Sequence, residues 1–596
     1  MHIVVQGRFG WAMMGVALTA ALACLTGACS PDTAAPDTPE PEAAIVPRIA
    51  FTEVTAEAGL GSFRHDNGAA GNKWYAEQMG SGGGFIDYDG DGWLDILLMG
   101  GGQWDRAPDA PYRALWLFRN NADGTFSDQT EEAGLGEVEA FTIGMAAADY
   151  DNDGDQDFVL TNINQNMLFR NDGGRFTEVG RQSGLSEHDE WSSSALFFDA
   201  DNDGWLDLYI GNYADWTPET DKFCPEGGTV KLYCIPADYE GMPSRYYRNN
   251  GNPGSGPGQA PTFTDRTVEA GIVPALGKTL GVAEFDYNKD GWSDFAVAND
   301  GEGDLLYENN GDGTFTERGV LSGIAFSEHG EARAGMGIDI GVVDDSGEPS
   351  LFVGNFSEEM IGVYRHIGGG LFLDRAAVSK IGQPSLNTLT FGLFLFDVDL
   401  DTDLDLFAAN GHVYPDRLVG QDKITFRQRS QLYLNRGDGL FDEVPPQTTT
   451  PLSIEMVARG AAYADYDRDG DLDILLTEND GPAHLWRNDL DGGRFLRVRV
   501  AGRRVNRDGL GARVVISVGG VRQERRVRTG SSYLSQSEQA LVFGLGVAGE
   551  VDSLWVYWPG GGVDGVGAVA SNQEVLIVEG TGTAEPVPLA LSREID

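Results

Sequence analysis

The sequence predicts an all-β chain, a seven-bladed β-propeller followed by a small C-terminal β domain. Three observations predict it. A loop of the form Asp-x-Asp-x-Asp-Gly-x-x-Asp recurs between short apolar runs along most of the chain. A second phrase, an apolar run ending in a Gly-containing turn, recurs with it as LFRNNADGTFSD (117–128), LYENNGDGTFTE (306–317) and LYLNRGDGLFDE (432–443). The 596 residues exceed one ordinary core, and 82 Gly against 25 Pro suit many short strands better than long helices.

The loops set the blade count. They read DYDGDGWLD at 87–95, DYDNDGDQD at 149–157, DADNDGWLD at 199–207, DYNKDGWSD at 286–294, DVDLDTDLD at 397–405 and DYDRDGDLD at 465–473. A seventh, degraded copy is VVDDSGEPS at 342–350. The starts lie 50 to 87 residues apart, the length of one four-stranded blade with its loops. One repeat shows the plan. Gly144–Ala148 is a first strand of small residues suited to a crowded centre, Phe158–Thr161 a second, Met167–Asn171 a third and Arg175–Val179 a fourth, with hairpin signals between them. Closing the ring protects the strand edges that an open sheet exposes.

The loops carry the chemistry. Side chains at positions 1, 3 and 5 of a tight loop converge on one point. Gly at 6 permits a backbone conformation other residues resist, and a carbonyl at 7 with Asp at 9 completes an all-oxygen shell. Such donors, without His or Cys, favour Ca²⁺. An EF-hand is excluded, because it closes with Glu at position 12 between helices. The expected ligands are Asp87, Asp89, Asp91 and Asp95; Asp149, Asp151, Asp153 and Asp157; Asp199, Asp201, Asp203 and Asp207; Asp286, Asn288, Asp290 and Asp294; Asp397, Asp399, Asp401 and Asp405; and Asp465, Asp467, Asp469 and Asp473, about six calcium sites. Thr402 replaces the Gly of the fifth of these, which predicts strain. Val342, Ser346 and Ser350 take ligand positions in the degraded copy, which predicts that it holds no metal.

The formal charge of −50 excludes nucleic acid and anionic membrane as partners and favours cations. Arg8, the apolar run Trp11–Leu25 and the small residues before Cys29 read as an export signal over 1–29. Leu25–Cys29 resembles a lipobox with Thr26 in place of Leu, giving two readings: lipidation at Cys29, with the membrane met only through that anchor, or an ordinary secretory signal. Residues 30–48 read as a disordered Pro- and acid-rich tether. The propeller is expected over 49–492, the small β domain over 493–580 and a tail over 581–596. In an exported chain Cys224 and Cys234, ten residues apart in one loop, most simply form a disulfide.

The C-terminal segment alternates as strands do (Phe495–Val500, Ala512–Val518) and is rich in Arg, including Arg497, Arg507, Arg522, Arg525, Arg526 and Arg528. Those cations either dock on the acidic propeller or meet an anionic partner. Trp555 and Trp558 read as core or as a sugar platform. The insertion at 211–262, with Trp216, Tyr233, Tyr239, Tyr246 and Tyr247, reads as a ligand-facing loop at the propeller mouth or as ordinary packing. His65, His329 and His412 are the candidate catalytic groups; their alternative role is structural hydrogen bonding. No nucleophile elbow, zinc helix or phosphate loop is present in the sequence.

The repeats over roughly 50–490 resemble the FG-GAP/VCBS repeats of integrin-type propellers. The phrases Asn506–Arg513, Gly530–Ser537, Phe543–Gly546 and Leu554–Pro559 resemble an ASPIC/UnbV domain. The pairing is similar to the cartilage acidic protein family. The resemblance implies an extracellular location and calcium binding; it brings no reaction or ligand. The function expected is an exported calcium-binding propeller that binds an extracellular or envelope protein or a glycan, at the cell surface or in the periplasm. The alternative is an extracellular carbohydrate-active lyase or hydrolase.

Overall fold

The computed structural model describes residues 49–588 apart from 105–111, 186–187, 227–228, 252–260, 273–276, 416–422 and 491. The expected signal, Cys29 and the tether lie outside the described residues, as does most of the Gly/Pro-rich stretch near 255.

Alternation of apolar runs with Asp and Gly turns produces seven antiparallel blades of four strands, blades 2 and 3 being joined to one another by the pairing of Glu190 with Asn164 and Trp191 with Ile163. Their innermost strands are Gly83–Ile86, Phe141–Ala148, Glu190–Phe198, Thr279–Phe285, Ile338–Val342, Thr390–Phe396 and Ala458–Ala464, defining blades 1 to 7. In each blade the acid loop, or its degraded copy in blade 5, joins this strand to the second. The outermost strand of blade 7 comes from the other end of the chain: Phe51–Glu53 pairs with Ala483–Asn488, Phe51 opposite Asn488. The ring is therefore fastened by both ends of the repeat array, leaving only the short outer edge of Phe51–Glu53 in that blade.

The core lies between blades. Phe198 of blade 3, for example, meets Phe295 of blade 4 edge-on at 5.6 Å, and Phe295 meets Phe315 at 5.4 Å. Polar staples run beside these apolar layers. Asn171, at the end of the third strand of blade 2, donates its amide to the carbonyl of Gln156 in its own loop and to that of Tyr88 in the loop of blade 1, at 3.0 and 2.7 Å. Asn120, Asn249, Asn309 and Asn435 bridge in the same way to the blade before them. In blade 5 the position is His366, which bonds Glu348 instead.

The C-terminal strands, Arg494–Ala501, Arg513–Val518, Val521–Arg526, Leu541–Gly546, Glu550–Tyr557, Val563–Ala570, Gln573–Val578 and Ala584–Val587, form two four-stranded sheets. The last is a correction: residues 584–587 were expected in a tail, yet they pair with Glu574–Ile577. Trp558 is core, its indole donating to Asp564, while Trp555 is 45% exposed. Cys224 and Cys234 form the expected disulfide across the short hairpin Cys224–Glu226 and Val230–Leu232.

This domain covers the acid-loop side of the propeller and sends the segment 528–539 down its central channel. Arg528 pairs with Asp339, and Thr529 bonds Phe197 of blade 3 in both directions. Gly530 packs against Val282 of blade 4, and Ser532 pairs with Ile338 of blade 5. The Tyr533 ring meets Phe391 of blade 6 at 4.9 Å. The Leu534 carbonyl accepts from Met145 of blade 2, Gln536 pairs with Gly84 of blade 1, and the Ser537 hydroxyl accepts from Tyr463 of blade 7. Every blade is touched. The close approach requires glycine: a Cβ on Gly84 would sit 2.4 Å from the Gln536 carbonyl oxygen. At the tip Ser532 and Leu534 hold positive φ of 60° and 57°, folding the segment back on itself.

Candidate metal centres and the filled channel

Each acid loop folds around its own carboxylates. The Asp at position 1 accepts the amide N–H of residue 6 in all six loops, at 2.9 to 3.3 Å. Residue 4 is left-handed in all six (Gly90, Asn152, Asn202, Lys289, Leu400, Arg468), with φ of 55 to 70°. Residue 6 is left-handed too, including Thr402 at φ 100°, the strained case expected from the sequence. The Asp at position 9 is buried and doubly bonded: Asp157, for instance, accepts the Tyr150 and Asn171 amides at 3.2 and 2.7 Å. That acid thus ties loop, blade and staple together.

The carboxylates converge. One oxygen from each of Asp87, Asp89 and Asp95 lies within 4.8 Å of the others, and the same holds for Asp149, Asp151 and Asp157, for Asp199, Asp201 and Asp203, and for Asp397, Asp399 and Asp405. In the loop at 286 the acids are drawn in by backbone bonds, and Asn288 turns its amide onto Asp290 at 2.9 Å. In the loop at 465 the position 1 carboxylate also faces Arg497 at 3.8 Å.

These groups do not satisfy one another. Burial, helped by neighbouring carboxylates, pushes Asp95 and Asp294 up to about 8, and Asp157, Asp207 and Asp473 well above the usual carboxylate range. Asp87 Oδ1, Asp201 Oδ1 and Asp399 Oδ1 are buried with no hydrogen-bond partner among the described residues. Orphaned, crowded, all-oxygen donors fit a hard divalent cation. In blade 5 Asp344 is instead taken by the guanidinium of Arg365, which also donates to the Gly439 carbonyl. Arg119 and Arg248, at the same third-strand position, flank the loops of blades 1 and 3.

The other expected site residues divide differently. His65 is 1% exposed; its Nδ1 accepts the Asp480 amide at 3.1 Å, and burial with Arg459 and Arg64 nearby pulls it down to about 3. His412 is also buried, takes the Tyr414 amide on Nδ1, and is pulled down to about 4 by burial and Arg459. Both are structural; His329 is exposed. Tyr246 and Tyr247, expected in an insertion that was either ligand-facing or ordinary packing, belong to the third strand of blade 3 and are buried. Trp216 and Tyr239 are buried too, in a cluster with Tyr75, Trp191 and Tyr213 that covers the end of the channel.

The Arg-rich segment docks. Arg526 grips Glu284 through Nε and Nη2, Arg497 pairs with Glu538 and Glu574, and Arg507 donates to the Asp153 carbonyl. The C-terminal domain touches the acid loops themselves: the Asp149 amide donates to Asp508 at 2.8 Å, and the Gly544 amide to Asp397 at 3.1 Å. Sequence reasoning missed the channel segment. It expected ligands at the central mouth, and the mouth is filled by the chain itself. The available signal was the run of small polar residues around Tyr533–Leu534 together with Gly84, Gly144, Gly337 and Gly460 near the ring axis.

Comparison with known proteins agrees with this architecture. A profile described as FG-GAP-like repeat matches 87–160, 149–210, 286–341 and 409–476, and one described as ASPIC and UnbV matches 502–584. Cartilage acidic protein 1 of Mus musculus is 26% identical over 280 residues, 38% of this chain and 42% of that protein. The chain thus spans about two fifths of that relative's length. Among solved structures, an Agrocybe aegerita lectin recognising non-reducing terminal N-acetylglucosamine is 16% identical, covering 68% of this chain and 86% of its own at a TM-score of 0.37. PorZ, a surface component of the type-IX secretion system of Porphyromonas gingivalis, is 12% identical, covering 86% and 60% at 0.38. The lectin BP39L of Burkholderia pseudomallei is 8% identical, covering 70% and 98% at 0.38. The assignment of seven blades rests on the strand pairings above.

Proposed function

We propose, from the premise that this chain carries FG-GAP-like repeats followed by a C-terminal ASPIC and UnbV domain, that it is an exported binding or adhesion protein whose propeller is stiffened by about six calcium ions. The observation that carries the reading is the convergence of carboxylates, some with buried unpartnered oxygens, in the acid loops of blades 1, 2, 3 and 6, on a loop backbone shared by six blades. When bound, calcium would neutralise these clusters. Asp87, Asp89, Asp91 and Asp95, and their equivalents in the other five loops, would hold it. The disulfide between Cys224 and Cys234 supports an oxidising, extracytoplasmic location. Among the described residues no helix is long and apolar enough to cross a membrane. Attachment through a lipid on Cys29 is the anchoring we propose. Its partner is an extracellular or envelope protein or a glycan, met on the outer rims of the blades, because the central channel is occupied.

Calcium titration calorimetry on metal-stripped protein tests the reading: about six tight sites are expected, with a fall in melting temperature in excess EDTA. Unchanged melting and no calcium heat would sink it. Glycan and envelope-protein arrays probed with calcium-loaded protein then identify the partner.

A further inference from the structure

A cavity of about 510 Å³ lies between the acid-loop side of the propeller, chiefly blades 4 and 5, and the C-terminal domain. One wall is unusually cationic. It carries Arg513, Arg522, Arg525, Arg526 and Arg528. Their ion partners are few: Arg526 holds Glu284, Arg528 holds Asp339, and Arg513 and Arg522 share the single carboxylate of Glu524. Arg525 has no ion pair among the described residues. Its bonds run to the Glu524 carbonyl at 3.1 Å and the Gln523 amide oxygen at 3.5 Å, and its guanidinium lies 5.4 Å from the centre of the Phe543 ring. Five guanidinium groups thus share three ion-paired carboxylates, and Arg525 faces Asp397 and Asp403 of the blade 6 acid loop only at longer range.

The other charges on the wall are already committed. Lys289 is held by Glu348, and Glu538 by Arg497. Asp286 and Asp290 belong to the blade 4 acid loop and, on the metal reading above, serve its cation. Gln536 also lines the cavity; it is 3% exposed and its Oε1 has no partner. Degeneration of the fifth repeat helps to make the opening. Val342, Gly347 and Pro349 border the cavity where a seventh acid loop would stand, and Arg365 holds the remaining Asp344.

We infer that this cleft binds a small molecule bearing a tetrahedral oxyanion, a sulfate or phosphate ester. Guanidinium groups that share one carboxylate, as Arg513 and Arg522 do, or form no ion pair, as Arg525 does, keep donors for an anion, and the planar donor fork of Arg matches such oxyanions. The volume is that of a ligand site, roughly 300 to 1,000 Å³, and exceeds what a bare ion fills. The Gln536 amide oxygen and the Ser531 and Tyr557 hydroxyls on the wall suit the hydroxyls of a sugar-sized body.

The test is calorimetry on the calcium-loaded chain with glucose 6-sulfate, glucose 6-phosphate, inorganic sulfate and glucose. Binding of one or both esters is expected, tighter than inorganic sulfate, with no heat from glucose; the two ester arms decide which oxyanion is preferred. Arg525→Gln should weaken ester binding at least tenfold without lowering the melting temperature in ester-free buffer, while Arg175→Gln, outside the cleft, should leave it unchanged. No binding of either ester at about 10 mM, well above a millimolar Kd, overturns the inference. So does affinity indifferent to Arg525→Gln, or inorganic sulfate binding as tightly as the esters. Calcium stoichiometry on the same samples reports separately on the metal reading.

Discussion

The Tyr533 hydroxyl donates to the main-chain carbonyl of Met79, 3.0 Å away and 454 positions earlier in the chain. Met79 precedes the inner strand of blade 1, at the end of the channel opposite the acid loops, so this bond marks how far the C-terminal domain reaches through the propeller. Tyr533 is 1% exposed and packs on Phe391. Tyr533→Phe should cost about 0.5 to 1.5 kcal/mol, the net worth of one hydrogen bond, and Tyr533→Ala about 3 to 5 kcal/mol through the cavity it leaves. Denaturant unfolding in calcium measures both. A loss below about 1 kcal/mol for the alanine variant would show that the segment only rests in the channel.

Thr402 holds φ 100° where the other five loops have glycine. A β-branched residue there carries about 1 to 3 kcal/mol of strain. Thr402→Gly should therefore raise stability by about 1 kcal/mol, after the added flexibility of glycine in the unfolded chain is subtracted. Asp399→Asn in the same loop removes a carboxylate with a buried, unpartnered oxygen and should lower the calcium stoichiometry by one. Titration calorimetry and melting on the two variants check the pair. A less stable Thr402→Gly protein would mean that the Thr402 side chain supplies a contact outweighing its strain.

The Asn staples offer a comparison inside one molecule. Asn171→Ala removes donors from the buried carbonyls of Tyr88 and Gln156 and should cost about 1 to 3 kcal/mol. His366→Ala, at the equivalent place in blade 5, breaks a bond to the half-buried Glu348 and should cost less. Equal losses in the two variants, measured by thermal unfolding, would show that the ladder between blades carries no special weight.

The ring was legible because its signals are local and repeated. The turn chemistry of Asp87–Asp95 and its copies needs no distant partner to be recognised, and the departure at Thr402 could be read residue by residue. The N-terminal closing strand Phe51–Glu53 and the channel segment were not legible, because their partners at Asn488 and Met79 lie hundreds of residues away and carry no matching pattern. Tyr246 and Tyr247 were misplaced for a related reason. The phrase Tyr246–Asn249 ends a third strand as Leu117–Asn120 does, but the long insertion before it hid the register. The Arg-rich segment was read down to two outcomes, and only the coordinates separate Arg526, which docks on Glu284, from Arg525, which forms no ion pair among the described residues.

His65 and His412 contribute to the acid sensitivity of the folded protein. Both are buried, both accept a backbone amide on Nδ1, and burial with the Arg459 charge nearby holds them at about 3 and about 4, against 6.5 for an exposed imidazole. As pH falls below 6.5, the unfolded chain takes up protons that the folded chain refuses. Stability present above pH 6.5 is therefore lost on acidification, by up to about 1.4 kcal/mol per pH unit for each histidine, until about pH 4 for His412 and pH 3 for His65. The acid loops titrate in the same range, so the effect must be read as a difference between two proteins. With calcium saturating, the His65→Gln/His412→Gln variant should be less stable than the parent at pH 7, and its stability should fall more slowly between pH 6 and 5, by up to about 2.7 kcal/mol per unit. Denaturant titration at each pH gives both slopes. Parallel slopes would mean that both imidazoles become charged in the folded state and that the Arg459 neighbourhood is wetter than its burial indicates.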